Sequence, residues 1–217
     1  MTIIAGIDEA GKGPVIGPMC IAGVAIDESK LNTIKNLKVR DSKTVTASKR
    51  KEFAYQIKKY SDDWYIFEIS PQQIDELRKV MTMNQIMVHG FLKVLNKLRP
   101  DKAYVDSVDV NSERFGSTLK IKYSESNPGA KQIEIISKHR ADSIYPIVSA
   151  ASIIAKVRRD ELIEKIKKEM GIDFGSGYPS DPKTKKFLEE WICENDSFPE
   201  FVRHSWKTCD NLIKKHK

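Results

Sequence analysis

Short apolar runs rich in β-branched residues alternate along the chain with longer stretches in which apolar residues return every three or four positions. The short runs predict strands at Ile3–Asp8, Cys20–Ile26, Trp64–Ser70, Lys102–Val108 and Gln132–Ser137. The longer ones predict helices. Over Thr46–Tyr60 the residues Phe53, Ala54, Ile57 and Tyr60 share one face, and over Asn84–Leu98 a wider stripe of Ile86, Met87, Phe91, Val94, Leu95 and Leu98 is stopped by Pro100. A third helix, Ser149–Met170, opens with small residues and ends at Gly171. A short loop joins the first two strands and helices separate the later ones, an order that predicts an α/β fold with a mixed sheet covered by helices. After Gly171 comes a glycine- and proline-rich connector, "FGSGYPSDPKT". Asp181 followed by Pro182 reads as an N-cap with proline at the first helical position, so a helix should run to about Asn195, with a last helix after Phe198–Ser205. The expected division is a main domain over 1–174 and a small helical appendage over 175–217.

At 217 residues with 40% hydrophobic content and three tryptophans, the chain has enough apolar side chain for a real core. No window approaches a membrane span, and the N-terminus lacks the basic and apolar regions of a secretory signal. Cys20, Cys193 and Cys209 are odd in number and far apart, which fits neither a disulfide framework nor a zinc site and points to the cytoplasm. The net charge of +7 is unevenly placed: residues 30–59 hold ten Lys/Arg against Asp41 and Glu52. That stretch is either a solvated face or a footprint for a polyanion, and the second gains weight only if a phosphate-directed site exists elsewhere in the chain.

Such a site is suggested by "IAGIDEAGKGPVIGP", residues 4–18, where Asp8 and Glu9 stand between an apolar strand and a loop with three glycines and two prolines. Neighbouring strand residues point to opposite faces, so these two acids can converge only where the strand ends, at the Ala10–Gly11 break. Asp106 lies opposite Val105 near the end of another strand, with Asp109 as a nearby competitor, and Asp142 precedes the long helix. Singly, each acid is explained as a solvated cap or turn former. Together, two carboxylates about 5 Å apart repel by roughly 3 kcal/mol at an effective dielectric near 20. A cluster would therefore demand cations, and oxygen-only ligands select hard ions. Spacing alone does not show that the acids meet.

The blocks "GIDEAGKGPVIGPM", "DSK" at 41–43, "YVDSVDV", "ADSIYPIVSAASIIAKVRRD" and "GSGYPSDPKT" resemble those of ribonuclease HII of the archaeal type, in the same order and over nearly the whole chain. The resemblance implies an RNase H-like fold and a metal-dependent endoribonuclease. Its substrates would be RNA–DNA hybrids and duplex DNA containing ribonucleotides, cut 5′ to the ribonucleotide with two ions of Mg²⁺ or Mn²⁺. It places the metal-binding acids on Asp8, Glu9, Asp106 and Asp142, the glycine-flanked substrate loop on Gly11, Lys12 and Gly13, and the junction-reading tyrosine on Tyr178. Lys43 and the basic stretch gain a role on phosphates. Lys12 stands where the family usually has arginine, so main-chain reading of a 2′-OH should survive while a bidentate phosphate grip is lost. A monomer without membrane contact is expected, and whether it docks a sliding clamp is not legible in the residues.

The remaining signals are weaker. His139 reads as solvated or structural, His89 as packed on its helix, and Met81, Met83 and Met87 as core filling. Two rivals are a ribonuclease HIII, expected to carry an extra N-terminal domain for which a strand beginning at residue 3 leaves no room, and a non-catalytic nucleic-acid binder on the same fold. A binder has no use for several acids on a phosphate-binding surface.

Overall fold

A computed structural model describes residues 1–37 and 46–216. Its five-stranded mixed sheet has the order β3-β2-β1-β4-β5, with β1 Ile3–Ala10, β2 Met19–Asp27, β3 Asp63–Ile69, β4 Lys102–Asp106 and β5 Glu134–Lys138. β1 is antiparallel to β2 and parallel to β4, and β4 is parallel to β5. All five strands fall where the apolar runs predict them, shifted by a residue or two at the ends. The helices are α1 Leu31–Asn36, α2 Ala47–Tyr60, α3 Pro71–Arg78, α4 Met83–Leu98, α5 Ser112–Ser126, α6 Ala141–Ile144, α7 Pro146–Met170, α8 Pro182–Glu194 and α9 Lys207–His216. The expected helices correspond to α2, α4, α7, α8 and α9, and α7 begins three residues earlier than expected. His89, expected to be packed, is exposed on α4.

The chain packs as two compact units. One takes Met1–Ala10, Cys20–Phe67 and Met83–Val157; the other takes Gly11–Met19, Glu68–Thr82 and Arg158–Lys217. In the first, strand alternation sorts side chains to the two faces of the sheet. Ile4, Ala22, Val24 and Ile26 meet Ile34 of α1, Ala54 and Ile57 of α2, and Val148, Ala151 and Ile154 of α7. On the opposite face Gly23 lies under Val94 and Leu98 of α4, and Gly90 of α4 lies over Ile21. The second unit has its own core, in which Val15 and Ile16 pack with Ile163, Phe174, Phe187, Leu188, Phe198 and Val202.

One contact sets the spacing between β1 and α7. A Cβ at Gly6 would lie 2.3 Å from the carbonyl carbon and oxygen of Ile147, so only glycine lets the helix backbone come this close. No flexible side chain is available to yield. Gly6→Ala should therefore cost about 3 kcal/mol in denaturant unfolding, at the upper end for overpacking, and a loss below about 1 kcal/mol would show that α7 separates from the strand easily.

Candidate active site

β1 keeps its antiparallel register with β2 through Ala10↔Cys20, but its parallel ladder with β4 stops at Ile7↔Val105. On the β4 side the strand thus ends at Ile7, and Asp8 and Glu9 lie just beyond the last parallel pair. β4 itself ends at Asp106. Oxygen atoms of Asp8, Glu9 and Asp106 lie within 4.8 Å of one another, beyond the carboxyl ends of adjacent parallel strands, a common place for ligands in open α/β sheets.

Asp8 and Asp106 are oriented by groups of the first unit. Asp8 is 5% exposed, accepts the Glu9 N–H at 2.7 Å and is hydrogen-bonded by Ser152 of α7. Asp106 accepts the Ala141 N–H at 2.6 Å, which ties the end of β4 to the start of α6. Burial, then the charges of Glu9 and Asp106, push the Asp8 carboxyl well above the usual carboxylate range, against the lowering effect of its two hydrogen bonds. Asp142 lies in the first turn of α6, directly after Ala141 and half-buried, and is not among the three acids within 4.8 Å. Asp109, the competitor of Asp106, serves α5 instead, accepting the Asn111 N–H at 2.9 Å and pairing with Arg114. His139 is exposed, and Lys43 lies outside the described residues.

The glycine loop and the tyrosine come together in the second unit. Gly11 has φ +91°, and a Cβ there would meet the Pro18 carbonyl oxygen and the Arg159 side chain, each at 2.8 Å. The carbonyl of Gly177 accepts from the N–H groups of Val15 (2.9 Å) and Ile16 (3.1 Å), and Gly177 donates to Thr184 Oγ1 at 3.0 Å. Asp181 accepts from Ser176 N–H (2.7 Å) and Lys183 N–H (2.9 Å), so the expected helix cap also braces the turn before it. These bonds place Tyr178 with a ring carbon 3.6 Å from where a Gly13 Cβ would stand. The guanidinium of buried Arg159 lies 5.3 Å from the centre of that ring and donates to the Ser176 carbonyl at 3.0 Å. Arg159, Ser152 and Thr184 lie within the blocks that carry the resemblance, but nothing in the sequence marks them individually.

A family model described as Ribonuclease HII matches residues 5–209. The chain belongs to the ribonuclease HII family. Curated ribonuclease HII proteins of Methanococcoides burtonii and Methanosarcina barkeri are each 63% identical to it, covering 97% of this chain and 99% and 95% of their own. The crystal structure of ribonuclease H2 from Pyrococcus horikoshii superposes with a TM-score of 0.90 at 42% identity, over 99% of this chain and 98% of that one. Ribonuclease HII of Archaeoglobus fulgidus, solved in complex with PCNA, gives 0.85 at 43% identity, over 96% of each chain. A Mn²⁺ complex of Bst-RNase HIII gives 0.81 at 18% identity, covering all of this chain and 70% of that one, a likeness of fold alone. As a ribonuclease HII the chain is a metal-dependent nuclease of RNA–DNA substrates, and three converging carboxylates form the oxygen-only donor set that a hard divalent ion requires.

The electrostatics carry a test. Asp8 keeps its proton to higher pH in the folded chain than in the unfolded one, so its contribution to stability is full below the ordinary carboxylate range and is lost as pH rises through the raised value. Asn at this position does not ionise. In metal-free protein Asp8→Asn should thus raise Tm, and the gain over wild type should grow from pH 4 to pH 8. Mn²⁺ should stabilise wild type more than the variant, because binding to the folded state alone raises its stability. A gain that shrinks with pH would show that the Asp8 carboxyl is not raised in the folded chain.

Proposed function

We propose that this ribonuclease HII cuts duplex DNA on the 5′ side of a single embedded ribonucleotide. The observation that carries the reading is the convergence of Asp8, Glu9 and Asp106 within 4.8 Å at the ends of two parallel strands. Asp142 completes the set as the fourth acid once charge is neutralised. Two Mg²⁺ or Mn²⁺ ions held there would supply an activated water and stabilise the leaving oxygen. The protein's part is to hold the acids. The Ala141 N–H fixes one oxygen of Asp106, while the Glu9 N–H and Ser152 fix Asp8, so the carboxylates are aimed before substrate arrives.

Only the 2′-OH distinguishes the ribonucleotide locally from its neighbours. The main chain at Gly11, Lys12 and Gly13 reads that hydroxyl, and Tyr178, 41% exposed beside Gly13, packs against the next sugar, where a second hydroxyl is crowded. Lys43 and the basic stretch hold phosphates without regard to sequence, and residues 175–217 contribute to substrate binding through Tyr178. The protein acts as a monomer in the cytoplasm, a reading supported by three free cysteines. The PCNA complex of the Archaeoglobus relative supports a sliding clamp as its partner.

A duplex with one ribonucleotide, incubated with Mg²⁺, with Mn²⁺ or with chelator, tests the reading; cleavage should need a divalent ion and map to the 5′ side of the ribose. Asp106→Asn should reduce turnover to background while duplex binding is retained or tightened, because a ligand and a source of repulsion against phosphate are removed together. Near-normal turnover at saturating Mg²⁺ would eliminate Asp106 as a ligand. Tyr178→Ala should lower kcat/KM on the single ribonucleotide by at least about tenfold, the scale of one lost aromatic contact, and by less on an all-RNA strand paired with DNA. Equal losses on the two substrates would make Tyr178 scaffolding.

A further inference from the structure

Residues 11–17 are tied to a turn near the far end of the chain by a set of bonds centred on one side chain. Arg203 is 0% exposed, and its guanidinium donates to the carbonyls of Gly11 (2.6 Å), Lys12 (3.2 Å) and Gly17 (2.9 Å). Its own N–H donates to the Val15 carbonyl at 2.8 Å, and the Gly17 N–H donates to the Phe201 carbonyl at 2.8 Å. The Trp206 ring lies 4.8 Å from the guanidinium and its Nε1–H donates to the Gly13 carbonyl at 3.2 Å. Asp75 of α3 secures the turn, accepting from the N–H groups of His204 (2.8 Å) and Ser205 (3.0 Å) and from the Ser205 hydroxyl (2.6 Å). A buried cation is costly, and an apolar side chain fills such a volume with less desolvation. What an apolar residue cannot do is dictate where carbonyl groups point.

That direction has a consequence for the opposite side of the loop. In a trans peptide the C=O of one residue and the N–H of the next point in opposite directions, and the described residues contain no cis peptide. With the carbonyls of Gly11 and Lys12 turned toward Arg203, the N–H groups of Lys12 and Gly13 are turned away from it. The Gly13 carbonyl, held by Trp206, opposes no donor, because residue 14 is proline. The direction of these two adjacent N–H groups is thus set from behind by Arg203.

We infer that Arg203 is a positioning residue for sugar discrimination: by holding the carbonyls of Gly11 and Lys12 it aims the Lys12 and Gly13 N–H groups at the ribose 2′ oxygen. The inference rests on the loop role proposed above. It also gives Lys12 a reason to be tolerated, since the selective groups are main-chain donors that do not depend on that side chain.

The test measures preference rather than turnover. In an Asp106→Asn background, affinity is measured for a duplex with one ribonucleotide and for the same duplex in all-DNA form. The ratio of the two should favour the ribonucleotide with wild-type Arg203. Arg203→Gln, too short to span three carbonyls, should lower that ratio by about tenfold, the worth of one to two hydrogen bonds, and Arg203→Lys should restore part of it. A loop that is merely loosened would weaken both duplexes alike and leave the ratio unchanged in folded Arg203→Gln, which would overturn the inference. If circular dichroism shows that Arg203→Gln does not fold, Trp206→Phe decides in the same assay, with a fall of about threefold expected for one lost carbonyl bond and an unchanged ratio overturning the inference. A ratio of one with Arg203 intact would overturn the proposed reading of the loop, whereas a preference that survives in the folded variants overturns the role of Arg203 alone.

Discussion

Mutual repulsion among Asp8, Glu9 and Asp106 is the constraint around which the first unit is arranged. Each pair at this separation costs about 3 kcal/mol at an effective dielectric near 20 when both members are ionised, a large part of the net stability of a typical domain. The fold tolerates it by making the acids the ends of strands that are otherwise fully committed. β1 carries Ile4 and Ile7 at 0% exposure, flanked by β2 on one side and β4 on the other. Side-chain freedom that would let Asp8 and Asp106 drift apart is removed by the Ala141 N–H, the Glu9 N–H and Ser152. A rigid sheet thereby holds in place an electrostatic penalty that a bound cation would relieve.

The second unit solves a different problem, that of giving a loop without a strand ladder one fixed shape. Its core of Val15, Ile16, Phe174, Phe187 and Val202 brings two pieces distant in sequence together, and hydrogen bonds give the loop its shape. Gly177 holds Val15 and Ile16, Arg203 and Trp206 hold Gly11 to Gly17, and Arg159 supports the Tyr178 ring. Loops that bind ligands are often among the less stable parts of a protein. Here a buried guanidinium and a hydrogen-bonded turn replace the missing strand ladder.

Local periodicity made most of the architecture legible in advance. The strands and the long helices have strong patterns of period two or 3.6, and Asp181–Pro182 marks the start of α8 correctly. Helix α5 was not legible because Phe115, Leu119 and Tyr123 form a thin stripe interrupted by Gly116 and several serines. Helix α3 was hidden by its brevity, although Ser70 and Gln73 form a full capping box around Pro71 at the first helical position. Motif resemblance singled out the acids and the glycine loop; their convergence needed coordinates, since the parallel register of β1 with β4 depends on a crossover of about a hundred residues. Arg203 was beyond reach for the same reason, as nothing in "FVRHSW" says that the arginine is buried against the first loop of the chain.

That long reach also orders events during synthesis. Arg203 and the Gly11 carbonyl it bonds are 192 residues apart. At about 5–20 residues per second on the ribosome, the acids of β1 emerge roughly ten to forty seconds before the arginine. During that interval the Gly11–Gly17 peptides have no Arg203 to face. A nascent chain can therefore assemble its strands and acids while the loop still lacks its final shape. The loop takes its final shape last, when Arg203 reaches the carbonyls of Gly11, Lys12 and Gly17.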